Sequence, residues 1–131
     1  MSDMTYERTS VYGFEETVTA VADSAAEAGF SVLVTHDLRS RFEAKEIEWH
    51  HGLSIVEVCK AGYASKMAAI EPHYALHLPC PVVVREDADG QVFVAMLRQT
   101  FVAGLFPGEE FGDGPASVEA ELRSIVDHAT S

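Results

Sequence analysis

The sequence predicts an α+β fold, a two-layer domain with a mainly antiparallel sheet and helices on one face. Three observations carry this. The β-branched runs 82–86 (VVVRE) and 91–97 (QVFVAML) flank the turn Asp87-Ala88-Asp89-Gly90, a hairpin signature. Segments 14–28 and 117–129 carry apolar residues at helical spacing. Strands and helices do not alternate as strictly as a doubly wound parallel sheet would require.

The elements follow in order. Residues 4–12 (MTYERTSVY) alternate loosely and suit a first strand ending at Gly13. Phe14-Glu15-Glu16-Thr17-Val18 opens a helix with acids where the helix dipole favours them. Phe14, Val18, Val21, Ala22, Ala25 and Ala28 form its apolar face, and Gly29 stops it. Residues 30–35 (FSVLVT) read as a strand. Residues 38–48, with Leu38, Phe42 and Ile47 as apolar points, read as a short helix leading into the loop Trp49-His50-His51-Gly52. Residues 53–58 (LSIVEV) form a strand ending at Cys59. Residues 61–70 read as a helix that turns Tyr63, Met67 and Ile70 to the core, and Pro72 stops it. After the hairpin, the stretch LRQTFVAGLF (97–106) is apolar but broken by glycine, and reads as core packing, a flap or a dimer contact. The chain breaks at Pro107-Gly108 and again at 112–115. The last helix presents Val118, Leu122, Ile125 and Val126.

The 131 residues suit one domain, 1–131, and 47% hydrophobic content is enough for one core. The formal charge is -12, from 21 acidic and 9 basic residues. A field of that sign repels phosphate backbones and anionic lipid, so neither nucleic acid nor membrane is an expected partner of this acidic protein. No apolar run approaches the roughly 18 to 20 residues a membrane span needs, and the first residues lack a signal core. The expected location is cytoplasmic.

Candidate chemistry gathers between residues 49 and 80. His50, His51, Cys59, His73, His77 and Cys80 all fall there, and thiolate and imidazole are the ligands of soft metal centres. His73 and His77 are four apart and would share a face of an α-helix. Met96 adds a soft ligand if the last strand runs beside the cysteines. The chain contains no CxxC, HExxH, GxSxG or phosphate-cradling glycine motif. Glu15-Glu16 and Glu109-Glu110 read as solvated faces.

The runs GFSVLVTHDLRSRF (29–42), VEVCKAGYASKMAAIEP (56–72) and LHLPCPVVVRED (76–87) resemble the domain-of-unknown-function family 302. Cys59 falls at that family's first cysteine and Cys80 at the cysteine of its LPC turn. AMLRQTFVAGLFPGEE (95–110) is similar to the Met-rich, LFGGE-like segment of a longer subgroup. The likeness covers about residues 5–110, with the helix of about 116–129 beyond it. Lys60-Ala61 departs from the Asn-Pro common after the first cysteine, and His73 and His77 stand at variable positions. The resemblance implies a fold like that of the TATA-binding-protein group, often dimeric through its sheet, and implies no activity. The expected function is a small binding domain. Its site would use Cys59, Cys80, His77, His73, His50, His51 and Met96 for a transition metal or haem. A homodimeric interaction module with structural cysteines and a thiol-dependent redox enzyme are the alternatives.

Overall fold

Along three strands of the sheet, residues alternate between fully buried and half-buried, and that alternation organises the molecule. The computed structural model describes residues 3–131. Its strands are β1 (Thr5–Thr9), β2 (Ser31–Asp37), β3 (Leu53–Cys59), β4 (Cys80–Glu86) and β5 (Val92–Leu97). They form one sheet in the order β1-β5-β4-β3-β2, and every neighbouring pair is antiparallel. Helices α1 (Phe14–Glu27), α2 (Leu38–Ala44), α3 (Ala61–Ile70), α4 (Gln99–Ala103) and α5 (Gly114–Thr130) and a 3-10 helix, Pro72–His77, complete the fold. The α+β class and the antiparallel sheet agree with the sequence reading.

Side chains on a strand point alternately to opposite faces. Val56, Val58, Cys80, Val82, Val84, Val92, Val94 and Met96 share one face and are buried. Against them lie Val21 and Ala25 of α1 and Val118, Leu122, Ile125, Val126 and Ala129 of α5, all in the same hydrophobic cluster. The half-buried Leu53, Ile55, Val83, Phe93 and Ala95 fall on the opposite face and outside that cluster.

Local chemistry sets the joints. In the β4–β5 hairpin, Asp87 Oδ1 accepts from the N–H groups of Asp89 and Gln91 at 3.0 and 2.9 Å, and Gly90 takes φ 81°. Helix α1 ends with Gly29 at φ 87°. The Gly29 N–H donates to Ala26 O, and the Phe30 N–H donates to Ala25 O at 3.0 Å. This is a Schellman stop whose flanking Phe30 is buried. Strand β2 runs two residues further than its β-branched run suggests, because Asp37 closes it and caps α2 by accepting from the Ser40 N–H. Helix α2 ends at Ala44, short of 48, where Glu46 takes φ 60°.

Two elements were not expected. Residues 72–77 form a 3-10 helix, and the 97–106 stretch contains α4. Helix α4 has no side-chain cap of its own at its N-terminus. Glu119 of α5 supplies one: its Oε1 accepts from the Thr100 N–H at 3.0 Å and the Thr100 hydroxyl at 2.6 Å, while Oε2 accepts from Arg98 Nε at 3.1 Å. Within that stretch Val102 is buried and Leu105 is 60% exposed, so it is core packing at one point and surface at another.

Burial acts to raise the Glu119 carboxyl, but Thr100 and Arg98 outweigh it and hold the group below its ordinary 4.5. Its contribution to stability is therefore complete above that pH and is lost as the pH falls below it. Glu119→Ala should cost about 2–3 kcal/mol at neutral pH, since it strands Thr100 and Arg98. The gap between urea melts of the two proteins should narrow as the pH is lowered below 4.5. An equal gap above and below that pH would refute the capping role.

Candidate functional site

The structure separates the residues that the sequence grouped. Cys59 ends β3 and Cys80 begins β4, and the register pairs Val58 with Cys80. The two cysteines are therefore neighbours along the ladder but belong to opposite faces. Their strands are inner strands, so they meet at one end of the sheet rather than at an edge strand. Cys80 is 4% exposed, and burial, with a smaller effect from Cys59, pushes its thiol up to about 12. Strand β5 does run beside β4. Met96 sits opposite Val82 on the buried face and is a core side chain.

The histidines lie elsewhere. His50 is exposed in the loop before β3, its Nε2 3.7 Å from Glu48, and His51 is its ring neighbour at 6.5 Å. His73 is exposed and its Nδ1 lies 2.9 Å from Glu71 Oε2. A 3-10 helix has three residues per turn, so positions four apart point about 120° away from each other. That is why His73 faces solvent while His77 turns inward. Among the described residues, no three His, Cys, Asp or Glu side chains come together as a group able to hold a metal ion.

His77 instead joins a buried polar knot. Its Nδ1–H donates to Tyr74 O at 2.7 Å, and its Nε2 is 3.1 Å from the amide of Gln99. The Tyr63 hydroxyl is 2.8 Å from both the Tyr74 hydroxyl and the Gln99 amide oxygen. Tyr74 and Gln99 are fully buried, and the rings of Phe106 and Phe111 pack on Tyr74. Burial first, then Tyr74, drives the Tyr63 hydroxyl well above its ordinary value, so it stays protonated. The Gln99 amide oxygen is the shared centre of these contacts, and Gln99 Nε2 is buried without a partner. The knot ties α3, the 3-10 helix and α4 together. In the sequence, Gln99 looked like one polar residue in an apolar run, and nothing local marked it as buried.

The surface with the clearest chemistry is the half-buried sheet face. Across the register, Phe93 lies beside Thr9 and Arg85, and Arg85 beside Leu53. Ala95 lies beside Glu7 and Val83, Val83 beside Ile55, and Ile55 beside His36. Charges on this face are matched within it. Arg85 pairs with Glu7 at 3.4 Å and lays its guanidinium 4.2 Å over the Phe93 ring. His36 Nε2 pairs with Glu57. At β2 the face continues at Val34, which lies opposite Glu57 just after a bulge and is 40% exposed.

No helix among the described residues is long and apolar enough to cross a membrane. No curated protein matches the chain. A solved structure described as an uncharacterized conserved protein DUF302 from Bacillus stearothermophilus matches with a TM-score of 0.87 and 22% identity. The match covers 98% of this chain and 99% of that one, and at that identity it speaks to the fold. The family model for the domain of unknown function DUF302 matches residues 6–129, running on through α5 where the sequence motifs stopped near 110. The chain therefore belongs to the DUF302 family.

Proposed function

We propose that the chain is a homodimerising interaction module whose two copies stack through the half-buried sheet face. One observation carries this: an apolar surface on the side of the sheet away from the α1–α5 core, with its own charges paired. Two molecules that each carry -12 repel wherever their surfaces are acidic. This face, with Arg85 against Glu7 and Glu57 hydrogen-bonded to His36, meets a copy of itself with less of that penalty. A two-fold contact needs such a self-complementary patch. Five strands at ~4.8 Å spacing, each about six residues long, give a footprint of ~24 by ~20 Å before side-chain relief is counted. That is about 480 Å² a side, the scale of the smaller specific interfaces.

In this reading the cysteines are packing residues. Cys80 is a small apolar side chain in the core, and alternation directs Cys59 away from it, which disfavours both a shared soft metal or haem and a Cys59–Cys80 disulfide. The cytoplasm suits two free thiols.

Sedimentation equilibrium should give twice the monomer mass at micromolar concentration. Val83→Arg should weaken association by more than about a hundredfold, because it buries an unpaired charge, although it lowers the net repulsion. Its circular dichroism should stay unchanged. A monomeric parent protein, or a dimer indifferent to Val83→Arg, would end the proposal. Cys80→Ala should lower stability by about 1–2 kcal/mol through a small cavity and leave the mass unchanged. In the folded parent at neutral pH, alkylation should spare Cys80. Rapid modification of Cys80 would return the thiol to the list of active groups.

A further inference from the structure

A groove of about 610 Å³ runs along α1 on the helical side of the molecule, with His128 of α5 at its wall. A second hollow of about 350 Å³ continues it and shares Ser24, Glu27 and His128 with it. Four carboxylates line the main groove: Glu15, Glu16, Asp23 and Glu27. Among the described residues, none of the four has an ion pair or a side-chain hydrogen bond. The last turn of α1 contains no basic residue, so Asp23 and Glu27 stand at the negative end of the helix dipole without compensation. The chain spends its cations elsewhere: Arg8, Arg39, Lys60, Arg85 and Arg98 are all paired with other acids.

Ser24 is a second and independent sign. It is only 7% exposed, it lines both hollows, and its hydroxyl makes no hydrogen bond. A buried serine in a helix usually bonds its own backbone or a neighbour. Here the oxygen is left open to the groove, where a donor entering from solvent would reach it.

We propose that this groove binds a linear oligoamine, with ammonium groups on the carboxylates and methylenes over Ala20. The carboxylates are strung along the helix rather than gathered, and no three of them form a group able to hold a metal ion. From Glu16 to Glu27 is about 16 Å along the axis, and from Asp23 to Glu27 about 6 Å. The shorter distance matches two ammonium groups joined by a four-carbon chain. Tyr12 lines the groove near the start of α1. The acidic field of the whole chain steers such a ligand inward. The proposal is independent of the sheet-face dimer, because the groove lies on the opposite layer.

The test is calorimetric titration of the full chain with spermidine at fixed ionic strength. One saturable site per chain is expected. Asp23→Asn with Glu27→Gln should weaken it at least about tenfold, and Glu109→Gln with Glu110→Gln, equal in charge but away from the groove, should change it less than about twofold. The idea is overturned by non-saturable heats, by equal losses in both double variants, by displacement with magnesium at equal charge, or by a preference for an oligolysine peptide over spermidine.

Discussion

The two-residue period of the sheet is the constraint from which the rest follows. In β3, β4 and β5 it sends Val56, Val58, Val82, Val84 and Val94 to one layer and Ile55, Val83, Phe93 and Ala95 to the other. Only the first layer is covered by α1 and α5. A one-residue slip in any of these strands would exchange the two sets and expose the core. The same period divides Cys59 from Cys80. Thiols that are neighbours along the chain's fold are thus kept on different sides of a layer of backbone, and one of them is held protonated by its burial.

Holding helices on a one-sided sheet needs more than hydrocarbon, because short helices such as α4 and the 3-10 segment bury little. Polar bonds do that work here. Glu119 reaches from α5 to cap α4, and Gln99 at the first turn of α4 meets Tyr63, Tyr74 and His77. Directional bonds between buried groups fix one arrangement among many apolar ones, although Gln99 Nε2 itself is left without a partner. His77 therefore contributes to the shape of this corner. Its two ring nitrogens are both committed, one to Tyr74 O and one to Gln99, which leaves little of it for a metal.

The sheet and main helices were legible in the sequence because each has a strong local signature. Asp87-Ala88-Asp89-Gly90 forms the turn its residues demand, and Gly29 stops α1 with the positive φ that glycine favours. The functional grouping was not legible, since it assumed that proximity in sequence becomes proximity in space. His73 and His77 would share a face on an α-helix, but Pro72 starts a tighter helix that parts them. Met96 was correctly imagined beside the cysteines' strand, yet burial makes it part of the core. Glu119 and Gln99 could not be found from sequence, because their partners lie 19 to 36 positions away and no period announces them. The acids of α1 read as a solvated face. What changes their meaning is α5, which turns that face into one wall of a groove.

Charge then joins the two surfaces into one argument. A chain with 21 acids and 9 bases must choose where its few cations go. Arg85 goes to the open sheet face and Arg98 to the cap of α4, and neither α1 nor its groove receives any. The sheet face is thereby left near neutral and apolar, suited to a like-charged copy of the same molecule. The groove is left acidic, with an unpartnered hydroxyl at Ser24, suited to a ligand of opposite sign. Stacking through one layer leaves the other open to solvent, so the two surfaces can be occupied together.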